Sequence, residues 1–296
     1  MKKLFSILLF SVIFIANAQV TANRFLYELT FKPKTDSAKM DKVMAVLDIT
    51  PEKSIFRDYT IVSQDSILKE KIELMQKTGN FRDLSKEITT PKFSYKIIKT
   101  QPKMEVQYIE GILNGMSPIQ LMYKETPNFN WNILSEKEKI GEYNTQKATT
   151  DFGGRKWTAW FSTDIPLQDG PYKFYGLPGL IVKIKDDGNN YTWELKGNEK
   201  VNNFEEVTYV EKITPGGAGA ITEVPRERFE KTFAEYKKDP FSSFRSQMTP
   251  QMMSQKIPGQ DKTLGEIIKE QEKKTIEFYN ANNNPIELEY DTKKKK

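Results

Sequence analysis

The chain of 296 residues contains no cysteine and no histidine. Without cysteine there can be no disulfide bond, no thiolate metal site and no lipid-modified N-terminal cysteine. Without histidine there can be no Ser-His-Asp or Cys-His catalysis, no imidazole ligand and no histidine-based pH switch. Any chemistry must therefore use carboxylates, lysine, arginine, tyrosine or hydroxyl groups, and we expect no cofactor and no metal centre.

Long apolar runs are scarce as well, and the longest one lies at the N-terminus. Residues 4–15 are apolar apart from two serines, follow Lys2 and Lys3, and precede Ala-Asn-Ala at 16–18. The run is shorter than the ~20 residues that a membrane-spanning helix needs. A basic start, a short apolar run and a small-x-small site are typical of a secretory signal peptide. The sequence predicts residues 1–18 as this peptide and a mature protein that begins at Gln19, is exported to the periplasm or secreted, and has no transmembrane segment.

Net charge is low, at +5 for the full chain. Removal of residues 1–18 takes away two lysines and no acid, and four of the remaining positive charges belong to the lysines at 293–296. Because phosphate binding depends on clustered cations, a near-neutral body with a basic tip predicts no binding of nucleic acid. We interpret the tail as a solvated end, with contact to acidic lipid or lipopolysaccharide as the alternative.

Apolar and polar residues alternate along much of the chain, which indicates half-buried strands. Strands are predicted at 25–31, 43–49, 55–62, 93–99, 104–109, 119–124, 155–162, 207–213 and 286–290, with a hairpin formed by 180–185 and 191–195. Helical spacing of apolar residues predicts helices at 64–78, 225–238 and 263–279. No linker divides residues 19–296. The predicted fold is therefore one α+β, β-dominated domain: a strongly twisted antiparallel sheet of eight or more strands, open or half-barrel, with helices covering one face.

Two patterns resemble catalytic signals. Ser66-x-x-Lys69 with Lys-Thr-Gly at 77–79 matches the residue types of a serine–lysine nucleophile site, but the triplet follows much too closely, so we interpret it as coincidence. Asp164 and Asp169 flank a loop and would suit glycoside hydrolysis, which needs two carboxyl groups. Asp186 and Asp187 are adjacent in a hairpin turn and point opposite ways, and turn aspartates usually bond to their own backbone. A carboxylate-dependent hydrolase therefore stays open as the least favoured function.

Aromatic residues are concentrated between residues 151 and 184, where prolines and glycines fix the backbone. Pro178 and Gly179 have the residue types of a type II turn, with positive φ expected at the glycine. Trp160 lies opposite the apolar face of its strand, so burial in the core does not account for it. The candidate ligand- or partner-binding residues of this stretch are Trp157, Trp160, Tyr172, Tyr175, Gly176, Leu177, Pro178 and Gly179.

Residues 176–181 read Gly-Leu-Pro-Gly-Leu-Ile, which resembles the hexapeptide of the GLPGLI family of exported bacterial proteins. Trp-Thr-Ala-Trp-Phe at 157–161, Asp-Gly-Pro at 169–171 and Asn-Pro-Ile-Glu-Leu at 284–288 are also similar to that family. The resemblance implies an exported protein, typical of Gram-negative bacteria with elaborate outer-membrane transport, and brings neither an activity nor catalytic residues.

Three functions are consistent with this pattern. We expect a non-enzymatic binding or chaperone-like module for an apolar small molecule or partner, in which the aromatic stretch lines a groove. An interaction or scaffold protein of an outer-membrane complex is the alternative, and a hydrolase is the third. The aromatic stretch can also be read as core alone, in which the hexapeptide only lets a loop fold flat against the sheet.

Overall fold

The computed structural model describes residues 20–80, 84, 89–114, 117–213, 221–256 and 261–288. In these residues twelve strands form one open sheet, in the order β12-β6-β5-β4-β3-β2-β1-β11-β10-β9-β8-β7. The strands are β1 Ala22–Phe31, β2 Asp41–Ile49, β3 Lys53–Asp58, β4 Lys96–Thr100, β5 Glu105–Asn114, β6 Ser117–Glu125, β7 Asn132–Ile140, β8 Tyr143–Phe152, β9 Arg155–Ser162, β10 Leu180–Asp186, β11 Tyr191–Val201 and β12 Ile221–Glu223. The helices are α1 Tyr59–Ser63, α2 Asp65–Thr78, α3 Tyr209–Ile213, α4 Arg226–Lys238, α5 Ser242–Arg245, α6 Pro250–Met253 and α7 Leu264–Ala281. The predicted β-dominated fold with an open sheet is confirmed.

The centre of the sheet is built from the strands with the clearest alternation. β1 pairs with β2 on one side and with β11 on the other, both antiparallel. Tyr27 and Leu29 of β1 and Trp193 of β11 are buried in the main core. The predicted hairpin of β10 and β11 is also present, and its turn has positive φ at Asn189 (50°). The Asp186 carboxylate fixes this turn by accepting from the Tyr191 amide at 2.7 Å.

Three segments differ from their predicted structure. Residues 59–62 continue as helix α1 instead of strand because the Asp58 side chain caps the helix by accepting from the Thr60 amide. The strand predicted at 207–213 is wrong: Tyr209–Ile213 is helix α3, whose first amides are held by the carboxylate of Asp65. Residues 286–288 belong to the strand predicted at 286–290 but do not form a strand. They are held by individual hydrogen bonds, such as the one that the Leu288 amide donates to the Gly153 carbonyl.

The sheet is mixed rather than wholly antiparallel. β12 pairs parallel with β6, whereas every other strand pair is antiparallel. β12 and the β7–β8 hairpin were not predicted. β12 and most of β7 are exposed, and β8 is mostly polar although several of its residues are buried. The first strand of that hairpin, β7, is exposed along most of its length and forms one edge of the sheet.

Helices lie against both faces of the sheet, whereas the sequence predicts that they cover one face. α4 packs Phe229 against Leu121 and Tyr123, on the aromatic-rich side. α3 lies on the other side, where its Glu211 pairs with Lys96 of β4 at 2.9 Å. We call the aromatic-rich side the inner face and the opposite side the outer face. The helices therefore leave the inner face beside β9 and β10 to be covered by the chain segment that joins those two strands.

Residues 1–18, the predicted signal peptide, lie outside the described residues. Within the described part of the chain, no helix has both the length and the apolar character needed to cross a membrane.

Candidate functional site

Residues 163–179, which we call the connecting loop, join β9 to β10 and fold back over the inner face. Its side chains Tyr172, Phe174 and Leu177 are buried. The Phe174 ring lies 4.9 Å from the ring of Trp157, and the Tyr172 ring stacks on Trp193 at 6.0 Å. The loop therefore fills the inner face with its own aromatic side chains, and Trp157, Tyr172 and Leu177 of the predicted set belong to the core.

The hexapeptide turn differs from the predicted type II turn. The Gly179 amide donates to the carbonyl of Leu177 at 2.7 Å, which closes a three-residue turn around Pro178. Gly179 has φ of 154°, and a Cβ there would lie 2.1 Å from the Ser162 carbonyl oxygen. The requirement for glycine is thus real, but it arises mainly from this close backbone approach and not from a type II turn.

The exposed part of the predicted set lies on two surfaces. Trp160 is half-buried on the outer face, between Lys147 and Lys183 of the neighbouring strands. Tyr175 is half-buried, whereas Gly176 and Pro178 are exposed at the tip of the connecting loop.

The half-buried rings of Phe129, Trp131 and Tyr175 form what we call the aromatic rim. The Phe129 ring lies 5.1 Å from Tyr175 in an edge-to-face arrangement. The Trp131 indole nitrogen donates to the Tyr175 carbonyl at 2.8 Å, and the Tyr175 hydroxyl donates to the Pro127 carbonyl. The structure therefore brings Tyr175 together with two aromatics that precede β7, and it separates Trp160 from them.

A buried lysine of β4 holds the start of the connecting loop. Lys99 is fully buried and its ammonium pairs with the Asp169 carboxylate. It also donates to the Gly170 carbonyl at 2.6 Å and to the Phe174 carbonyl at 3.3 Å. Burial lowers the pKa of Lys99, although the neighbouring carboxylate of Asp169 opposes that shift. The Lys99 side chain thus holds the loop at three residues, through the side chain of Asp169 and the backbone carbonyls of Gly170 and Phe174.

A second lysine, from the loop itself, is the centre of a larger charged cluster. The Lys173 side chain is fully buried. Its ammonium pairs with Glu125 of β6 and with Glu287 at 2.5 Å, and it donates to the Tyr123 hydroxyl at 2.8 Å. It also lies 5.1 Å from the centre of the Tyr108 ring, within cation–π range. We call Lys173, Arg226, Glu125 and Glu287 the charged cluster.

Arg226 completes the charged cluster from the first turn of α4. Its guanidinium pairs with Glu125 and, at 2.6 Å, with Glu287. Burial alone would raise the pKa of Glu287, but Lys173 and Arg226, with hydrogen bonds from Lys173 and Tyr172, hold it at about 2. Glu287 is therefore a carboxylate at neutral pH and acts as an anchor that joins the loop, α4 and the C-terminal segment.

Tyr172 contacts the charged cluster and has an unusual backbone conformation. Its hydroxyl donates to Glu287 at 2.6 Å, and its φ is 54°. A bulky residue in the left-handed region is strained and persists only where its surroundings fix it. The ion pairs on either side of Tyr172 provide that constraint.

The carboxylates considered for hydrolysis do not converge. Asp164 is exposed, while Asp169 is buried and paired with Lys99. Asp186 pairs with Arg155 at 2.9 Å, and the adjacent Asp187 is exposed. A carboxyl group with a strongly raised pKa lies elsewhere: burial raises the pKa of Glu110 to about 7.

Glu110 has hydroxyl partners rather than a second carboxylate. It accepts from Ser94 and, at 3.3 Å, from the Tyr108 hydroxyl. These hydrogen bonds oppose the effect of burial on its pKa. The arrangement is that of one satisfied buried carboxyl, whereas glycoside hydrolysis uses two carboxyl groups that flank the bond to be cleaved.

The sequence interpretation missed the lysines that fix the loop. Lys173 stands between Tyr172 and Phe174, in a segment whose backbone is fixed by Gly170, Pro171 and Gly176. A lysine inside such an aromatic and rigid segment was a usable signal, since a long charged side chain there must find a partner if the segment is buried. Its partners Glu125 and Glu287 could not be identified, because they are far away in the sequence.

Comparison with known proteins identifies this same region. Residues 153–183, from the start of the β8–β9 turn into β10, match a family model described as a protein of unknown function, Porph_ging. No curated protein matches the chain. This match supports the GLPGLI resemblance only in part. A bacterial family of unknown function covers the stretch that contains the hexapeptide.

Two solved structures are similar in fold. They are the structures of PNGF-II in the C2 and P21 space groups, with 15% identity and TM-scores of 0.49 and 0.48. They cover 74% and 73% of this chain, whereas this chain spans about a third (33% and 34%) of theirs.

Proposed function

We propose that the chain is an exported, non-enzymatic binding module of the bacterial envelope, and that its aromatic rim binds an apolar segment of a partner protein. The observation that carries this proposal is the connecting loop: buried lysines fix it from below, while Tyr175 at its tip stays half-buried beside Trp131. A surface held rigid before binding loses little conformational entropy when a partner arrives. Aromatic anchors of this kind dominate many interfaces.

A partner protein suits this surface better than an enclosed apolar ligand. The inner face under the loop is already filled by Tyr172, Phe174 and Leu177. The exposed remainder is a rim that leads directly into the edge strand β7, since Trp131 immediately precedes that strand. An outer-membrane protein with an extended apolar segment is the class of partner we propose.

The carboxylates that have cationic partners support a non-enzymatic role, and Glu110, whose pKa burial raises to about 7, is hydrogen-bonded to Ser94 and Tyr108 instead of to a second carboxyl group. Glu287 stays ionised because of its cationic neighbours, and Asp169 and Asp186 each have a buried cationic partner. Groups that are this fully neutralised stabilise the fold and are poorly suited to exchange protons with a substrate.

Site-specific photo-crosslinking in the cell envelope tests the proposal. A photo-reactive phenylalanine at Tyr175 should crosslink to a defined protein, whereas the same group at Lys273, 77% exposed on α7, should not. With that protein purified, Tyr175→Ser should weaken binding at least tenfold, as expected for an aromatic anchor. Equal crosslinking from both positions, or unchanged affinity of Tyr175→Ser, would contradict the proposal.

Export has its own test. N-terminal sequencing of protein recovered from the envelope fraction should begin at Gln19. A mature protein that retains Met1 in the cytoplasm would contradict the proposed export and leave the binding surface unaffected.

A further inference from the structure

The edge strand β7 offers backbone groups that a second chain could pair with. Among the described residues it pairs only with β8, and residues 135–139 are all exposed. The strand is regular over residues 137–140 and irregular between Ile133 and Lys137, where its register with β8 shifts. Along its open side an edge strand presents unpaired N–H and C=O groups. The strand begins one residue after Trp131, so its open side continues from the aromatic rim.

Charge alternates along β7 so that each side of the strand carries one sign. Lys137 and Lys139 project to one side and Glu138 to the other, because successive side chains of a strand alternate over the regular residues 137–140. Lys137 is in register with Gln146, which is in register with the buried Phe161, so the lysines are on the inner face.

The glutamates of β7 are on the outer face. Glu136 reaches Lys147 at 3.7 Å, and Lys147 is in register with Trp160 of the outer face. A groove of about 380 Å³ beside the lysines is also lined by Glu138 and by Asp164 of the connecting loop.

This pattern opposes pairing of β7 with a second copy of itself. In a two-fold symmetric dimer formed by antiparallel pairing, residues opposite each other must project to the same face. Lysines would then stand opposite lysines, and glutamates opposite glutamates, in every register that aligns these four residues. Like charges directly opposite each other are destabilising. The edge is thus protected against its own copy and stays available to a strand of different sequence.

We infer that β7 accepts an extended segment of another protein in which acidic and basic side chains alternate. The acidic side chains of that segment would lie beside Lys137 and Lys139 on the inner face, and its basic side chains beside Glu136 and Glu138 on the outer face. Backbone hydrogen bonds would supply the attachment, and the charges would select the sequence. The inference rests on the proposed function in placing the partner at this end of the sheet.

Two peptides of equal composition test this inference with the full mature chain. One alternates glutamate and lysine over eight residues, and the other arranges them as Glu-Glu-Lys-Lys blocks, with both carrying the same fluorophore. Wild type should bind the alternating peptide at least tenfold more tightly in fluorescence anisotropy. Amide resonances of residues 132–140 should shift with that peptide, and the affinity should fall as salt is added.

A matched variant reverses the expected preference. Lys137→Glu combined with Glu138→Lys keeps composition and net charge but converts β7 to a block pattern, so it should prefer the block peptide. Equal binding of both peptides by wild type, or no change of preference in the variant, would overturn the inference.

The two proposals fail separately. Tyr175→Ser removes an aromatic anchor and no β7 charge, so it should leave the peptide preference intact. Loss of that preference with intact crosslinking at Tyr175 would overturn only the strand inference. Intact peptide preference without crosslinking would overturn only the proposed function.

Discussion

The connecting loop and the edge strand β7 both carry several charged side chains, and they use them in opposite ways. In the loop, Lys173 is fully buried and meets two carboxylates, so its charge fixes irregular backbone against the sheet. In β7, Lys137 and Lys139 are exposed on the edge strand of the sheet. Buried charge here gives order to a segment without secondary structure, whereas exposed charge leaves an ordered segment open to other chains.

The largest expected difference between the two regions is the effect of removing a lysine. Lys173→Ala removes a fully buried cation and leaves the half-buried Glu125 and Glu287 with only Arg226 as a cation, and we expect it to lower the free energy of unfolding by about 3–5 kcal/mol. Lys137→Ala is the matched control, with an expected change under about 0.5 kcal/mol. Urea unfolding of both variants measures the contrast, and similar values would show that the charged cluster does not anchor the loop.

Acid should weaken the loop region selectively. The pKa of Glu287 is about 2 in the folded protein and about 4.5 in an unfolded chain, so its ionised form contributes stability above pH 4.5 that is lost as pH falls towards 2. By linkage this contribution is about 3 kcal/mol. The difference in unfolding free energy between wild type and Glu287→Gln should therefore shrink between pH 5 and pH 2. A difference that stays constant over this range would exclude Glu287 as the low-pKa anchor.

Substitution of one glycine in the connecting loop and one in the β7–β8 turn compares how tightly the backbone is constrained in the two regions. Gly179→Ala places a Cβ against the Ser162 carbonyl, and because backbone must move we expect a loss of about 2–3 kcal/mol. Gly141, in the β7–β8 turn, has φ of 58° and open space around it, so Gly141→Ala should cost about 1 kcal/mol. Thermal melts that rank the two variants in the reverse order would place the tighter constraint in the hairpin.

The smallest effect on stability is expected on β7 itself. Lys137→Thr with Lys139→Thr should change the free energy of unfolding by less than about 0.5 kcal/mol, because both side chains are exposed. The same variant loses the like-charge repulsion on one face, so sedimentation at high concentration should reveal more dimer than in wild type. A variant that remains as monomeric as wild type would show that the lysines do not protect the edge.

Much of the fold followed from local pattern. Alternation in residues 25–31 and in the β10–β11 hairpin identified the strands at the centre of the sheet, and the helix predicted at 64–78 corresponds to α2, which ends before Gly79 with φ of 71°. These elements are amphipathic, so the pattern of apolar and polar residues along each of them predicts which side chains are buried. β7 escaped prediction because its residues alternate in charge instead of hydrophobicity.

The site was less accessible from the sequence than the sheet. The aromatic stretch identified the right segment, but it could not separate buried Tyr172 from half-buried Tyr175, since both stand in the same aromatic run. That separation depends on contacts with Trp193 and Trp131, which come from distant strands. Long-range contacts of this kind leave no local periodicity to read.

The position of β1 has a consequence for how the chain acquires its structure. β1 is the first strand, yet it stands in the middle of the sheet, with Ala22 paired to Val201. Contacts between residues so far apart in the chain slow folding, because a long loop must be closed before they form. The pairing of β1 with β11 therefore cannot form until β11 has been synthesised, and until then the side of β1 that faces β11 stays open even where β1 has already paired with β2.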